Sequence, residues 1–399
     1  MVLDEQVENL YNGFDFYNVD MHFTDKQKAL RQQVRDFVEQ EVMPNINPYW
    51  EKAEFPWDIV SKLKSVPIIG GALMEHGAAG LDFVEMGMVL YELSKGDGSI
   101  STFYGVHSGL AMGSIGLLGD EEQKARWLPD MVKLEKIGAF GLTEPNIGSN
   151  AAHVQTTARK DGDSYILNGA KRWIGNASIS NVLIIWARDE DTGNFGGYVI
   201  EDASQVEGVT INDLWGKIAK RAVLNADITL ENVRVPKENK LAYVNSFKDT
   251  ARVLGMGRYG VAWSAAGVAA GAFELALKYT KEREQFGKPI AGFQLIQQKL
   301  VEMATEVTLM QNLCLQLSHL ISQGQLSEGM VSMAKYNNAR KARYVTQLAR
   351  ECLGGNGILI ENHIARLMLD AEVIYTYEGT NEVNMLLVGR ELTGLNAFV

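Results

Sequence analysis

Apolar residues recur at helical spacing in the first third of the chain. From Thr24 to about Glu135 they fall three and four positions apart, beginning with a Thr24/Gln27 capping box and with a first stop at Pro44. The same period predicts further helices at Trp57 to Lys64, Phe83 to Ser94, and Glu121 to Lys133. This pattern indicates a helical N-terminal region.

The periodicity changes in the middle of the chain. Between about Ile137 and Val244, short β-type runs are separated by turn residues such as Asn168-Gly169. The runs are Tyr165 to Leu167, Val182 to Trp186, Gly197 to Ile200, and Ile228 to Leu230. A β-rich middle domain is predicted.

From about residue 247 the helical period returns. Apolar residues from Ile296 to Ile321 step by four and three, a continuous stripe that requires neighbouring helices. Gly324 and the pair Gly354 and Gly355 are expected helix stops. The predicted helices, about 249–283, 294–322, 327–353 and 381–393, suffice for a four-helix bundle. We therefore predict a mainly α chain with three domains: helical 1–136, β 137–246 and helical 247–399.

Composition and charge narrow the classes of partner. The 399 residues are 46% hydrophobic and can bury a large core, while the net charge of −11 argues against nucleic acid or an anionic membrane. The cysteines, Cys314 and Cys352, lie far apart in apolar helical stretches, so no disulfide is expected. The six histidines show no ligand spacing, and no metal site is predicted.

The first twenty residues are acidic, unlike a transit peptide, and the first basic residue is Lys26. The acids are Asp4, Glu5, Glu8, Asp15 and Asp20. We expect no apolar run long enough to be a signal or a membrane span, and the final residues do not match a peroxisomal signal. The expected compartment is the cytoplasm.

A lone acid near the C-terminus is the first candidate for chemistry. Glu378 lies in the string Tyr375 to Thr380, where Thr380 can cap a helix beginning at about Asn381. An acid held by a turn against apolar and aromatic neighbours is partly desolvated, which raises its pKa and makes its carboxylate a competent base. The alternative is a solvated Glu at an ordinary helix start.

Two loops of the middle region are candidates for holding a planar heterocycle. No glycine-rich dinucleotide loop follows a strand, so a nucleotide must be held by other means. The Thr143 loop exposes backbone N–H groups and a hydroxyl, and Trp173 offers an indole. Arg283, at the end of a long predicted helix, can meet a phosphate. The alternatives are ordinary turns, core positions and a charged helix end.

Five motifs in order resemble those of the FAD-dependent acyl-CoA dehydrogenases. They are Leu142 to Pro145, Trp173 to Asn176, Arg283 to Gly287, Leu353 to Gly357, and Tyr377 to Thr380. The resemblance covers nearly the whole chain from Thr24 onward. Within the family, the C-terminal motifs are most similar to glutaryl-CoA dehydrogenases and plant short-chain acyl-CoA oxidases.

The resemblance implies the fold and the binding residues. The fold would comprise an N-terminal helical domain, a β-barrel-like domain and a C-terminal four-helix bundle, assembled as a homotetramer. FAD would be contacted by Phe140, Leu142, Thr143, Trp173, Ile174, Thr380 and Glu382, and by Arg283, Phe286, Gly354 and Gly355 of a neighbouring subunit. The acyl-CoA would meet Ser149, Arg258, Ser101, Tyr377 and Gly379.

The resemblance also implies a reaction. Glu378 would take the α-proton of the thioester while a hydride leaves the β-carbon for flavin N5, which gives a trans-2-enoyl-CoA. Hydrogen bonds to the thioester oxygen from the Glu378 N–H and a ribityl hydroxyl would acidify that proton. Some members carry the base just before Arg258; Gly257 stands there, which leaves Glu378. Electrons would pass to electron-transfer flavoprotein or to oxygen.

Departures from the family pattern keep alternatives open. Gly175 replaces a Thr expected near flavin N5, as in the plant oxidases, so an oxidase using oxygen is one alternative. Ser101 and Ser94 stand where glutaryl-specific enzymes carry an Arg and a Glu, which disfavours glutarate because a buried unpaired carboxylate is costly. A non-catalytic helical scaffold is the third alternative, and the intact Glu378 argues against it.

Overall fold

The computed structural model describes residues 15–398. The acids Asp4, Glu5 and Glu8 of the predicted N-terminal pattern lie outside the described residues. The described residues form two compact units, one of 15–51, 82–98 and 258–398 and the other of 52–81 and 99–257. Because these units follow packing and not chain order, the three domain ranges stay a prediction.

The predicted succession of helical, β and helical regions is confirmed. The α-helices are α1 Asp25–Phe37, α2 Ile46–Lys52, α3 Trp57–Leu63, α4 Phe83–Gly96, α5 Gly98–Tyr104, α6 Gly113–Leu118, α7 Glu121–Val132, α8 Phe247–Glu282, α9 Gln294–Ser322, α10 Glu328–Cys352, α11 Ile364–Ile374 and α12 Asn381–Thr393. Two π-helical segments, Val38–Val42 and Gly105–Met112, extend α1 and join α5 to α6. The Thr24/Gln27 capping box forms as predicted.

One helix of the C-terminal region escaped the sequence pattern. Helix α11 starts after His363, which has φ 60° and no side-chain cap bond, so none of the usual start signals precedes it. Between residues 247 and 398 the structure therefore has five α-helices instead of the predicted four.

Glycines set the spacing of α4 and α8 in the first unit. A Cβ on Gly87 would lie 2.2 Å from Nε1 of Trp263, and one on Gly267 would lie 2.2 Å from the Tyr91 carbonyl oxygen. Neither contact is possible without a shift, because packed interiors leave no free volume for an added methyl group. Gly87 thus lets the Trp263 indole lie against the backbone of α4, and Gly267 lets the backbones of the two helices approach directly.

Among the described residues, one helix has the length and apolar composition needed to cross a membrane. It is α8, whose most apolar window has a mean hydropathy of 1.4 and is 83% buried within the protein. The expectation that no apolar run has this character was therefore wrong. Core helices share the composition, and burial accounts for it here.

The second unit contains a seven-stranded mixed sheet. Its strands are β1 Gly138–Gly141, β2 Thr157–Asp161, β3 Ser164–Gly175, β4 Val182–Asp189, β5 Phe195–Glu201, β6 Val209–Asp213 and β7 Asn225–Pro236. The order is β1-β4-β2-β3-β7-β6, with β5 also paired to β4. Strands β1 and β2 both run parallel to β4, and the remaining pairs are antiparallel.

The sheet buries one continuous apolar cluster. Its members include Leu167, Leu183, Ile185, Tyr198 and Ile228, each no more than 1% exposed. This core holds the end of β1 and the end of β3, which carry two of the predicted ligand loops. A two-stranded hairpin, β8 Glu284–Gln285 and β9 Lys288–Pro289, follows α8 in the first unit.

Candidate active site

Glu378 lies in a strained turn between α11 and α12. Its φ is 53° and that of Gly379 is 80°, so two consecutive residues are in the left-handed region. Thr380 then caps α12, its hydroxyl oxygen accepting a hydrogen bond from the Val383 N–H at 3.2 Å. The predicted cap is confirmed, and it fixes where the turn ends.

The Glu378 side chain is half-buried, and one of its carboxylate oxygens is withdrawn from water. Its Oε2 is buried and has no hydrogen-bond partner among residues 15–398. Burial raises the pKa of Glu378 from 4.5 to about 7, against the opposing charges of Arg258 and Lys335. The buried oxygen and the raised pKa agree with the expected partial desolvation, and a pKa near neutrality suits a general base; the role of Glu378 stays a prediction.

Arg258 shares this environment. Its Nη1 donates to Oε1 of Glu328 at 3.0 Å, while its Nε is buried without a partner in the described part of the chain. The unpartnered Nε donor of Arg258 and the unpartnered Oε2 acceptor of Glu378 lie in the same unit, close enough for the cation to lower the pKa of the acid. Two unsatisfied buried polar groups indicate a site built for a ligand.

Two polar residues behind the turn were missed by sequence reasoning. Lys335 on α10 donates to the carbonyls of Tyr375 and Gly379, and Asn384 on α12 donates to those of Gly379 and Thr380. Both side chains belong to buried residues. The sequence carries one signal for Lys335: it falls at a core position of the helical period of α10, and a buried Lys is rare without a partner.

A buried ion pair organises the Thr143 loop in the second unit. Nζ of Lys171 donates to Oε1 of Glu144 at 2.8 Å and to the Leu142 carbonyl at 3.1 Å. Glu144 also accepts from the N–H groups of Gln155 and Thr156. Burial lowers the pKa of Lys171 to about 8. Burial by itself would raise the pKa of Glu144, but the hydrogen bonds that Glu144 accepts hold its pKa below the ordinary value.

Strand β3 bends where it presents Trp173. The β3–β7 register shifts between Lys171 and Ile174, so an extra residue lies on β3. Trp173 has φ 66° and is 54% exposed, with the Arg172 guanidinium 5.4 Å from its ring centroid. Bulges that re-aim a side chain are frequent next to active sites. Here the bulge displays a large aromatic face outside the core.

The Thr143 loop and the end of β3 offer a planar cofactor backbone groups and an exposed indole. Phe140, Leu142 and Ile174 are buried, so they offer backbone atoms instead of side chains. Oδ1 of Asn176 and Oγ of Ser178 are buried without a hydrogen-bond partner within residues 15–398. An exposed indole beside rigidly held backbone groups and unpaired polar atoms fits a flat, polar-edged heterocycle.

The residues that are predicted to contact the FAD of a neighbouring subunit lie on exposed turns of the first unit. Phe286 and Gly287 form the two-residue turn of the β8–β9 hairpin, both with positive φ, and Phe286 is 94% exposed. Arg283 precedes this hairpin and is exposed, as are Gly354 and Gly355 after α10. Positive φ at both central residues is what a two-residue hairpin turn requires, and the turn places the bulky Phe286 at a position that usually holds Asn, Asp or Gly.

The remaining predicted residues fall in both units. Tyr377 and Gly379 are half-buried beside Glu378, and Glu382 is exposed on α12, where it accepts from the Tyr375 hydroxyl at 3.0 Å. Ser149 is exposed in the second unit, and Ser101 of that unit is 3% exposed on α5. Their roles stay predictions.

One cluster could offer metal ligands. Ligand atoms of Glu75, His76 and Glu121 lie within 4.8 Å of one another. Nζ of Lys124 already lies 2.8 Å from Glu121 and 3.7 Å from Glu75, so an internal cation pairs these carboxylates. Lys124 thus occupies the place that a cation would take between these carboxylates.

Three family models together match most of the chain. They are "Acyl-CoA dehydrogenase, N-terminal domain" over residues 24–135, "middle domain" over 139–233 and "C-terminal domain" over 247–393. The 3-(aryl)acrylate reductase of Clostridium sporogenes is 37% identical over 93% of this chain and 100% of its own length. The caffeyl-CoA reductase-Etf complex subunit CarC of Acetobacterium woodii is 33% identical over 92% and 98%.

Solved structures agree with the sequence matches. A glutaryl-CoA dehydrogenase from Mycobacterium smegmatis superposes with a TM-score of 0.93 at 36% identity, covering 97% of this chain and 100% of that one. A glutaryl-CoA dehydrogenase from the same organism in complex with FADH2 gives 0.94 at 33% identity, covering 98% and 100%. Together with the family models, these likenesses confirm the resemblance in fold and sequence: this chain belongs to the acyl-CoA dehydrogenase family.

Proposed function

We propose that this chain oxidises a saturated acyl-CoA thioester to the trans-2-enoyl-CoA, with Glu378 as the base that removes the α-proton. The family makes the chain an oxidoreductase with FAD as its cofactor. The observation that carries the proposal is the Glu378 carboxyl group, whose Oε2 is buried without a partner among residues 15–398 and whose pKa lies near 7. General bases work best when their pKa lies near the operating pH.

In the proposed reaction, Glu378 receives the proton that leaves the substrate. The α C–H bond breaks, its proton moves to a Glu378 oxygen, and the electron pair left behind forms the α,β double bond as the β-hydrogen departs with its two electrons. When bound, FAD supplies the acceptor for that hydride. Burial of the Glu378 oxygen by substrate excludes water and raises the acid's pKa further, which drives the transfer.

The cofactor would be held by the loops of the second unit. Backbone groups of Phe140, Leu142 and Thr143 suit its heterocycle, and Trp173 suits its ring faces. The Lys171–Glu144 pair keeps the first loop in place without touching the cofactor itself. Arg283 and Phe286 would serve the FAD of a neighbouring subunit, which is why we propose a homotetramer.

We also propose a class of substrate and an electron acceptor. Ser94 and Ser101 support a straight-chain substrate over glutaryl-CoA, because neither supplies the charge that a buried carboxylate needs. Electron-transfer flavoprotein is supported as acceptor by the relative that is a subunit of a reductase-Etf complex. The cytoplasmic location is proposed from composition alone.

An oxidase is a second candidate because of Gly175. A threonine there would add a hydroxyl side chain that glycine lacks, and that hydroxyl would lie beside the reacting part of the flavin in the family pattern. A Cβ at Gly175 would lie 3.2 Å from Cγ2 of Val106, so this valine occupies much of the room beside the glycine and limits the access that oxygen gains.

One experiment tests the proposal and separates the candidates. The purified protein is titrated with butyryl-CoA under anaerobic conditions while the flavin absorbance is followed, and air is then admitted. Bleaching with formation of crotonyl-CoA supports the proposal, and slow reoxidation in air supports the dehydrogenase over the oxidase. A colourless protein would contradict it and support a scaffold, while flavin that stays oxidised across a panel of acyl-CoA lengths would also contradict it.

A further inference from the structure

The turn that carries Glu378 needs an external restraint. Glu378 has φ 53°, a conformation that is unfavourable for a residue with a side chain, and it is followed by a second left-handed residue. Such a conformation persists only where surrounding groups over-determine it. The direction of the Glu378 side chain depends on that backbone, so whatever holds the turn also aims the carboxylate.

Lys335 supplies this restraint from α10. It is 0% exposed, and its three ammonium N–H donors match three acceptors: the carbonyls of Tyr375 at 3.2 Å and Gly379 at 2.7 Å, and Oδ1 of Asn381 at 3.3 Å. These acceptors lie on both sides of Glu378 in the chain. One buried cation therefore ties the start of the turn to its end.

We propose that Lys335 is a positioning residue for the catalytic base, holding the 375–381 turn in the conformation that aims Glu378 and placing a fixed positive charge beside its carboxylate. The inference rests on the proposed function, because it takes Glu378 to be the base. Lys335 itself touches no reacting atom in this scheme.

The charges around Lys335 and Glu378 make the proposal measurable, because they affect the pKa of the base. Lys335 is faced by Glu378, Glu382 and Arg258, and burial lowers its pKa to about 8, so it is mainly cationic at neutral pH. Glu378 is faced by Arg258 and Lys335, and both cations lower its pKa against burial. Removal of the Lys335 charge should therefore raise the pKa of the base.

A purely structural role makes a different prediction. Tyr375 is the C-cap residue of α11, and a cation at a helix C-terminus stabilises the helix whatever the chemistry nearby. In that case, loss of Lys335 would lower stability but leave the pH dependence of the reaction unchanged.

The experiment compares Lys335→Met, which removes charge and donors, with Lys335→Gln, which removes the charge but keeps two N–H donors. Lys341→Met is the matched control, since Lys341 lies on the same helix and pairs with Glu306. For each holoenzyme, the rate of flavin reduction by butyryl-CoA is measured against pH. Hydrogen exchange is measured for the amides of residues 375–381.

Both Lys335 variants should move the midpoint of the pH profile upward by about 1 unit, the shift expected for loss of an adjacent opposite charge. At pH 7 the ionised fraction of the base then goes from about one half to about one tenth, so the reduction rate falls about fivefold. The turn should exchange faster in Lys335→Met than in Lys335→Gln, and Lys341→Met should match the wild type in both measurements.

An unmoved midpoint in folded Lys335→Gln would overturn the positioning role, and unchanged exchange in Lys335→Met would show that Lys335 does not hold the turn. The proposed function fails separately, if Glu378→Gln reduces flavin at the wild-type rate. In that event the exchange data still decide whether Lys335 holds the turn.

Discussion

The ammonium of Lys171 lies 2.8 Å from Oε1 of Glu144, and the two side chains are 0% and 4% exposed. Removing one partner of a buried pair leaves an uncompensated charge, which typically costs about 3–5 kcal/mol. Because Lys171 also binds the Leu142 carbonyl, this pair connects protein stability to the shape of a predicted flavin loop.

We predict that Lys171→Met lowers the thermal unfolding midpoint and reduces the flavin-to-protein ratio of the purified enzyme. Lys160→Met is the control, since Lys160 is an exposed residue on the neighbouring strand. The double variant Lys171→Met/Glu144→Gln should recover part of the stability, because it removes both charges. Full FAD content in the single variant would show that the loop does not depend on the pair.

A second prediction concerns stability against pH. Burial raises the pKa of Glu378 from 4.5 to about 7, so the folded state favours the protonated acid. The stability contributed by this group is complete below about pH 4.5 and is lost as pH rises through about 7. Glu378→Gln mimics the protonated form. The variant should unfold at a higher temperature than the wild type at about pH 9, by a free energy of up to about 3 kcal/mol, and show little difference at about pH 5.

Glu372→Gln is the control for that comparison, because Glu372 is an exposed acid on α11. A Glu378→Gln variant that shows the same difference from wild type at both pH values would contradict a raised pKa for Glu378.

Arg283 gives a third prediction, which links assembly to cofactor. If the Arg283 guanidinium binds a diphosphate, Arg283→Ala should weaken FAD binding by about 1.5–3 kcal/mol. If Arg283 is a solvated charge at a helix end, the loss should be only a few tenths of a kcal/mol. Lys281→Ala, at the exposed end of the same helix, should leave FAD content unchanged. The flavin-to-protein ratio and the mass in solution are measured together. A monomer with full FAD content would refute the shared site.

Substrate preference is the fourth prediction. Because Ser94 and Ser101 supply no cation, butyryl-CoA should be turned over more efficiently than glutaryl-CoA, by roughly 10²-fold or more. The ratio of kcat/KM for the two substrates measures this directly. Equal or better efficiency with glutaryl-CoA, with crotonyl-CoA and CO₂ as products, would mean that another cation pairs the distal carboxylate.

The sequence allowed the order of helical and β regions to be predicted because long apolar periods and caps such as Thr24 and Thr380 are local signals. Helix α11 was missed because its first residue follows an uncapped left-handed His363. The acid of the site was predictable from its turn, whereas Lys335 was not: its three acceptors lie about forty positions away along the chain, and only the fold brings them together.

The most direct test of the account is the rate of anaerobic flavin reduction by butyryl-CoA in the Glu378→Gln holoenzyme. The variant should bind FAD as the wild type does, since the FAD loops predicted in the second unit do not include Glu378, and its reduction rate should fall by at least about 10²-fold through loss of the general base. Reduction at the wild-type rate by a fully flavinated Glu378→Gln protein would show that the proton goes elsewhere, and the central assignment would be wrong.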